Sequence, residues 1–181
     1  MARPPSNPQL ALRPQDVVVL LRLALGKDQF PGYAVLASEL GMTASEAHAA
    51  VERAVAAQLA RKEANGKPVV ILAALRAFLL HGARYVFPAM HGGMSRGIPT
   101  AHAAAPLKEL VLPGSDPVPV WPSKDGTVRG LALHPLYPSV PQAAVRNPEL
   151  YEVLALFDGL RAGSARERAL AAELLEKRLA A

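Results

Sequence analysis

Residues 33–55 read Tyr33-Ala-Val-Leu-Ala-Ser-Glu-Leu40-Gly-Met-Thr-Ala-Ser-Glu-Ala-His-Ala-Ala50-Val-Glu-Arg-Ala-Val55, and their spacing decides the fold of the first half of the chain. Leu36, Ala37 and Leu40 recur at helical intervals and give a first helix an apolar stripe, with Ser38 and Glu39 outside it. Gly41 follows where a helix ends with least strain, since glycine takes positive φ without a Cβ clash. Thr43 and Ser45 both offer hydroxyl caps to a second helix, and Thr43-Ala-Ser-Glu46 has the spacing of a capping box. That second helix is expected over 44–57. It turns Ala47, Val51, Ala54 and Val55 inward and leaves Ser45, His48, Ala49, Glu52 and Arg53 on its other face. Met42 fits between the two helices as an apolar plug.

A helix before this pair is equally well marked. Pro14 suits a first helical position, Gln15 and Asp16 follow in the first turn, and Val17 to Leu25 form an apolar run that stops at Gly26. Leu59-Ala-Arg-Lys62 then reads as a strand leading to a turn at Asn65-Gly66. Three short helices followed by a strand and turn make a winged helix-turn-helix. Leu36-Ala-x-x-Leu40-Gly-Met-Thr-x-Ser45 with Val51-x-x-Ala54 resembles the second and third helices of winged helix-turn-helix regulators of the MarR and ArsR kind, over residues of about 12–62. The resemblance implies that the second helix of the pair enters the major groove of double-stranded DNA. On that footing Thr43, Ser45, Glu46, His48, Ala49 and Arg53 form the DNA-facing set. One departure is the charge of this helix: Glu46 and Glu52 oppose phosphate contact, and Arg53 is its only fixed cation.

The whole chain of 181 residues carries a formal charge of +5, which permits association with nucleic acid. Residues 1–62 hold seven basic and five acidic side chains, residues 63–130 seven and four, and residues 131–181 six and six. A phosphate grip is therefore expected from the first two-thirds. Arg61, Lys62 and Lys67 flank the Asn65-Gly66 turn as a basic wing, and Arg3 and Arg13 offer a trailing arm. The chain has no cysteine, so disulfides, thiolate zinc sites and a cysteine nucleophile are excluded. No apolar run approaches the ~20 residues of a membrane span, and the N-terminus lacks an apolar signal core, so a cytoplasmic location is expected.

Beyond the wing, Pro68-Val-Val-Ile-Leu-Ala-Ala-Leu-Arg-Ala-Phe-Leu-Leu80 admits a return strand, but its length and its alanine and leucine content favour a helix opened by Pro68 and closed near Gly82. Apolar almost all round, it is expected to be buried or to lie in a dimer interface. Tyr85-Val-Phe87 reads as a short strand, and His81 as a packed or surface histidine. Prolines and glycines over 88–141 forbid long helices, yet Trp121, Leu131, Leu133 and Tyr137 are too apolar for a disordered linker. Val118–Trp121 and Val128–Leu133 are expected as strands around a turn at Lys124-Asp-Gly126. Between them and the helix, His91-Gly-Gly-Met-Ser-Arg-Gly-Ile-Pro-Thr100 reads as a glycine-rich loop in which Ser95, Arg96 and Thr100 offer an anion-binding cradle. It matches neither a P-loop nor the dinucleotide fingerprint, and a plain surface loop explains it as well.

Asn147-Pro148 caps a helix that runs to Gly163, and Ser164-Ala-Arg-Glu167 is a second capping box opening a final helix. The fold expected is mainly α with short β-strands. Residues 1–87 form a winged helix-turn-helix with the helix that follows. Residues 88–181 form an irregular Pro/Gly-rich segment and a C-terminal helical hairpin, which packs on the first part or presents a dimer or partner surface. Nothing points to an enzyme. Ser95 sits in no nucleophile elbow, His91 and His102 lack further metal ligands, and no cofactor is implied. Two functions follow as expectations: a DNA-binding transcription regulator acting as a homodimer, or a non-enzymatic interaction subunit, an antitoxin or assembly partner, whose winged helix docks protein.

Overall fold

Proline lacks the N–H that a helix start would leave unpaired, and Pro14 opens α1 (Pro14–Leu25) in the computed structural model. The structure describes residues 11–26, 29–112 and 114–180, and they form a mixed α/β fold dominated by helices. Val17 to Leu21 of α1 are fully buried. α2 (Tyr33–Leu40) buries Leu36, Ala37 and Leu40 and stops at Gly41, whose φ of 64° is the left-handed cap that glycine provides. α3 (Ala44–Ala56) ends one residue earlier than expected, with Ala57 as its C-cap. Its capping box is formed: the Glu46 N–H donates to Thr43 Oγ1 at 3.1 Å, and the Thr43 N–H donates to Glu46 Oε2 at 2.8 Å. Ala47, Ala50, Val51 and Ala54 are buried, and Val55 is only partly so. Arg22 of α1 holds Glu39 of α2 through two N–H donors at 2.8 and 3.2 Å.

β1 (Ala60–Lys62) and β2 (Pro68–Val70) pair antiparallel around the turn, with Lys62 opposite Pro68 and Ala60 opposite Val70. The expectation of a helix opened by Pro68 is therefore corrected. Pro68 begins the return strand, a position where its missing N–H costs no ladder bond, and the Ile71 N–H completes the exit by donating to Leu59 O at 2.9 Å. Helix starts only at Leu72, as α4 (Leu72–Ala77), a π turn (Phe78–Gly82) and α5 (Ala83–Val86). Tyr85-Val-Phe87 is thus the end of a helix rather than a strand, and the Phe87 N–H donates back to Ala83 O at 2.7 Å. Nor is this helix buried all round: Leu75, Leu79 and Ala83 form one inward stripe at four-residue spacing, while Leu72, Tyr85 and Val86 are exposed.

The largest departure lies in the Pro/Gly-rich segment. His91–Pro99, expected as a loop, is a nine-residue strand, β3 (His91–Pro99). β4 (Pro119–Pro122) and β5 (Val128–Leu133) both run antiparallel to it and pair parallel with each other, so three strands close into a small barrel. A simple hairpin of β4 and β5 does not form. Gly97 is opposite both Pro122 and Val128, so the chain between the two strands crosses over it. That closure explains the glycines. A Cβ on Gly97 would lie 2.1 Å from the Trp121 carbonyl oxygen, one on Gly126 2.2 Å from the Gly97 carbonyl carbon, and one on Gly130 2.1 Å from the Val118 carbonyl oxygen.

α6 (Val140–Arg146), a further element not foreseen, has Pro141 in its first turn, where proline does not interrupt a helix. α7 (Pro148–Ala162) and α8 (Ala165–Ala180) form the expected hairpin. The Asn147 side chain accepts the Leu150 N–H at 3.0 Å, and Glu167 and Ser164 close the second capping box. α7 is buried from Val153 to Leu160 and packs against α1, α5, α6 and α8. One apolar core runs from Val17 in α1 through Trp121 in β4 to Leu179 in α8. Arg76 adds a polar tie, donating to the Leu179 carbonyl at 2.7 Å near the end of α8.

Inside this core sits Asp158, 1% exposed. Its Oδ2 accepts from Trp121 Nε1 at 2.6 Å and Thr100 Oγ1 at 2.8 Å, and its Oδ1 lies 2.9 Å from Arg161 Nη2. Burial pushes the carboxyl up from its ordinary value, while Arg161, Thr100 and Trp121 pull it back. With both oxygens partnered, this group pins together β4, α7 and the residue that follows β3 as a structural joint.

Candidate nucleic-acid interface

α3 packs on α1 and α2 through its small residues and also touches β1, and its outer side carries the residues they leave uncovered. On that outer side His48 is 54% exposed, Ser45 is exposed, and Ala49 and Glu52 are half-buried. His48 stands edge-on to the Tyr33 ring at 4.9 Å, and Tyr33 in turn meets Phe30 at 4.9 Å, so an aromatic string supports the histidine from the loop before α2. Glu52 Oε1 lies 3.6 Å from His48 Nε2 and 2.5 Å from Lys62 Nζ, which joins the middle of α3 to the hairpin. The hydrogen bond to Glu52 holds the Lys62 ammonium above its usual range. Arg61 and Lys67 extend from the same hairpin, exposed and in no ion pair among the described residues. The turn between them is closed by Asn65 Oδ1, which accepts the Lys67 N–H at 2.8 Å.

The structure reassigns several members of the expected DNA-facing set. Arg53 does not share the outer face. Its guanidinium donates to both oxygens of Asp16 at 2.6 and 2.8 Å, its side chain is 11% exposed, and Asp16 is fully buried. Asp16 also accepts the Arg13 N–H at 2.8 Å, so it caps α1 and anchors α3 at once. The pairing raises the Arg53 guanidinium further above its usual range. Thr43 and Glu46 are turned back onto the helix start in the capping box, whose Thr43 N–H bond holds the Glu46 carboxyl below its usual value. Glu46 also accepts from the Tyr137 hydroxyl at 3.3 Å. From the expected set the outer face of α3 keeps Ser45, His48 and the half-buried Ala49, and the hairpin keeps Arg61, Lys62 and Lys67; Thr43 is exposed but held in the cap. Arg13 is exposed beside α1, and Arg3 lies outside the described residues.

The second half grips the turn between α2 and α3. Ser139 Oγ donates to the Leu40 carbonyl at 2.5 Å, and its Cβ would come within 3.0 Å of a Cβ on Gly41. Arg146 reaches the Ser38 carbonyl at 3.4 Å. No residue pattern announced these contacts, which join positions about a hundred residues apart.

The expected anion cradle is also redrawn. Thr100 is fully buried and committed to Asp158, so it cannot face an exposed ligand. Ser95 donates to the Arg96 carbonyl at 3.1 Å, and the backbone N–H groups belong to a strand rather than to a phosphate-wrapping loop. Arg96 alone of the three stays exposed and in no ion pair, and it meets a partner that sequence reasoning missed: Arg129, directly opposite it on β5. Alternation along two strands was the available signal, but it required knowing that residues 91–99 are extended.

Among the described residues no group of three or more histidine, aspartate or glutamate side chains is placed to hold a metal ion, and no helix is long and apolar enough to cross a membrane. Compared with known proteins, the chain matches no family model, no curated sequence and no solved structure.

Proposed function

We propose that the chain is a DNA-binding regulator that places the outer face of α3 in the major groove and grips the flanking phosphates with its hairpin. One observation carries this reading: three helices are followed directly by an antiparallel hairpin, and the Lys62–Glu52 contact puts the basic hairpin beside the uncovered face of α3. In this arrangement, which we interpret as a winged helix, Ser45 and His48 reach base edges while Arg61 and Lys67 neutralise backbone charge. Lys62 contributes less, because Glu52 already occupies it. With so few base-reading groups, one copy recognises little sequence. Two copies on a pseudo-palindromic site supply the rest. Repeated selection from a random duplex pool tests the proposal: a symmetric motif with half-sites one helical turn apart is expected, and a pool that stays random after enrichment overturns it.

A second function is favoured by a specific feature. Arg53 is spent on Asp16 and Glu52 offsets Lys62, so the outer face of α3 is nearly neutral. A neutral, small-residue helix face also suits a protein partner, as in an antitoxin or assembly subunit. Sequence-independent duplex binding together with a stable co-purifying protein that protects α3 from hydrogen exchange would favour this alternative.

A further inference from the structure

We propose that Arg96 and Arg129 form a binding site for a terminal phosphoryl group on the outside of the three-stranded barrel, separate from the α3 face. The strand register places the two arginines opposite each other, with Met94 opposite Leu131 one pair further along. Alternation puts Met94 and Arg96 of β3 on the same face as Arg129 and Leu131 of β5, Thr127 lies just before β5, and all five are exposed. Met94, Ser95, Arg96, Thr127 and Arg129 line an open cleft of about 410 Å³.

Like charges directly opposite on paired strands destabilise a sheet. A nearby carboxylate would normally relieve this, yet neither guanidinium takes part in an ion pair or a side-chain hydrogen bond among the described residues. The backbone beneath them is closely packed, because a Cβ on Gly97 or Gly130 would lie 2.1 Å from a carbonyl oxygen of β4 or of the residue just before it. Two planar donor forks thus start from opposite positions of one strand pair, line the same cleft and are left open to solvent.

The ligand follows from counting acceptors. A carboxylate has two oxygens, which one arginine satisfies in bidentate geometry. A terminal phosphoryl group has three oxygens and a charge approaching −2, enough to engage both forks and the Thr127 hydroxyl together. A dianionic phosphoryl group is therefore the shared ligand chemistry, carried either by a mononucleotide whose remaining atoms lie along Met94 and Leu131 or by free phosphate.

Calorimetric titration of the full chain with adenosine monophosphate, adenosine and inorganic phosphate tests the site. Adenosine monophosphate is expected to bind and adenosine is not. Arg96→Gln and Arg129→Gln should each weaken binding about tenfold, the equivalent of one charge-assisted hydrogen bond. The double variant should abolish it, with a melting temperature no lower than the wild type's, because both side chains are exposed and their mutual repulsion is removed. Tighter binding of the nucleotide than of phosphate assigns a nucleotide ligand, and equal binding assigns the phosphoryl group alone; both support the site. Absence of binding by either phosphate probe, or undiminished binding by the double variant, overturns it. So does equal competition by a polyglutamate peptide, which would mark a surface for acidic protein. Variants at Arg61 and Lys67 leave these titrations untouched, so loss of the groove reading and loss of this site are told apart.

Discussion

Replacing Arg53 with alanine separates a structural arginine from a groove-reading one. In the native fold Asp16 is fully buried and its carboxylate accepts three hydrogen bonds, two from Arg53 at 2.6 and 2.8 Å and one from the Arg13 N–H. Arg53→Ala leaves a buried carboxylate with a single backbone donor. Breaking a buried pair from one side costs about 3–5 kcal/mol, and the slight exposure of Arg53 places this case at about 3 kcal/mol. For a domain of this size each kcal/mol moves the melting temperature by about 2–4 °C, so a fall of roughly 6–12 °C is expected. Urea titration followed by Trp121 fluorescence and helical circular dichroism gives the free energy. A double variant, Asp16→Leu with Arg53→Met, removes both charges and should recover most of the loss, because no buried charge is then left alone. Below its melting range Arg53→Ala should bind DNA as the wild type does. A loss under about 1 kcal/mol, the value of an exposed pair, together with a clear drop in DNA affinity, would refute the assignment.

Other perturbations test the remaining structure. Gly130→Ala puts a Cβ 2.1 Å from the Val118 carbonyl oxygen, a backbone clash; it should open the barrel and lower the melting temperature, and an unchanged melting temperature would contradict three-strand closure. Glu46 has its folded pKa held below 4.5 by the Thr43 N–H. The stability it contributes is full above that ordinary value and is lost as pH falls through the lowered folded value, so Glu46→Gln should flatten the acid limb of a plot of melting temperature against pH below the ordinary carboxylate range. An acid limb that keeps its slope would show the capping box to be unformed. Glu52→Gln removes the acid beside Lys62 and should tighten duplex binding at low salt, as read by anisotropy; weaker binding would mean that Glu52 itself contacts the ligand.

The order of elements in the first half was legible because each boundary carries its own chemistry. Pro14, Gly41, the Thr43–Glu46 box and the Asn65-Gly66 turn act locally, and the structure uses all four. The same held for Asn147 and Ser164 before the last two helices. What escaped depends on partners distant in sequence. Asp16 reads as an acid favouring a helix start, and only its contact with Arg53, 37 residues on, shows that it is buried. Arg53 lies beside the inward Ala50 and Ala54, a border position that helical spacing assigns to either face. Gly92, Gly93 and Gly97 suggested a loop because glycine disfavours strands, yet Gly97 is required where two strands and a crossing turn meet. Asp158 stood hidden in an apolar run. Its signal was a lone acid with Arg161 one turn on and a buried tryptophan elsewhere in need of an acceptor.

In the proposed function the uncovered face of α3 and the hairpin beside it bind duplex DNA, with Arg61 and Lys67 as the phosphate grip. Fluorescence anisotropy on a selected duplex, repeated over a series of salt concentrations, tests it most directly. The wild type should show log affinity falling linearly with log salt, and Arg61→Ala with Lys67→Ala should reduce that slope by about 1.8, the release of counterions from two phosphates. An unchanged slope in the double variant, or an affinity for the selected duplex no better than for random DNA, would contradict the account.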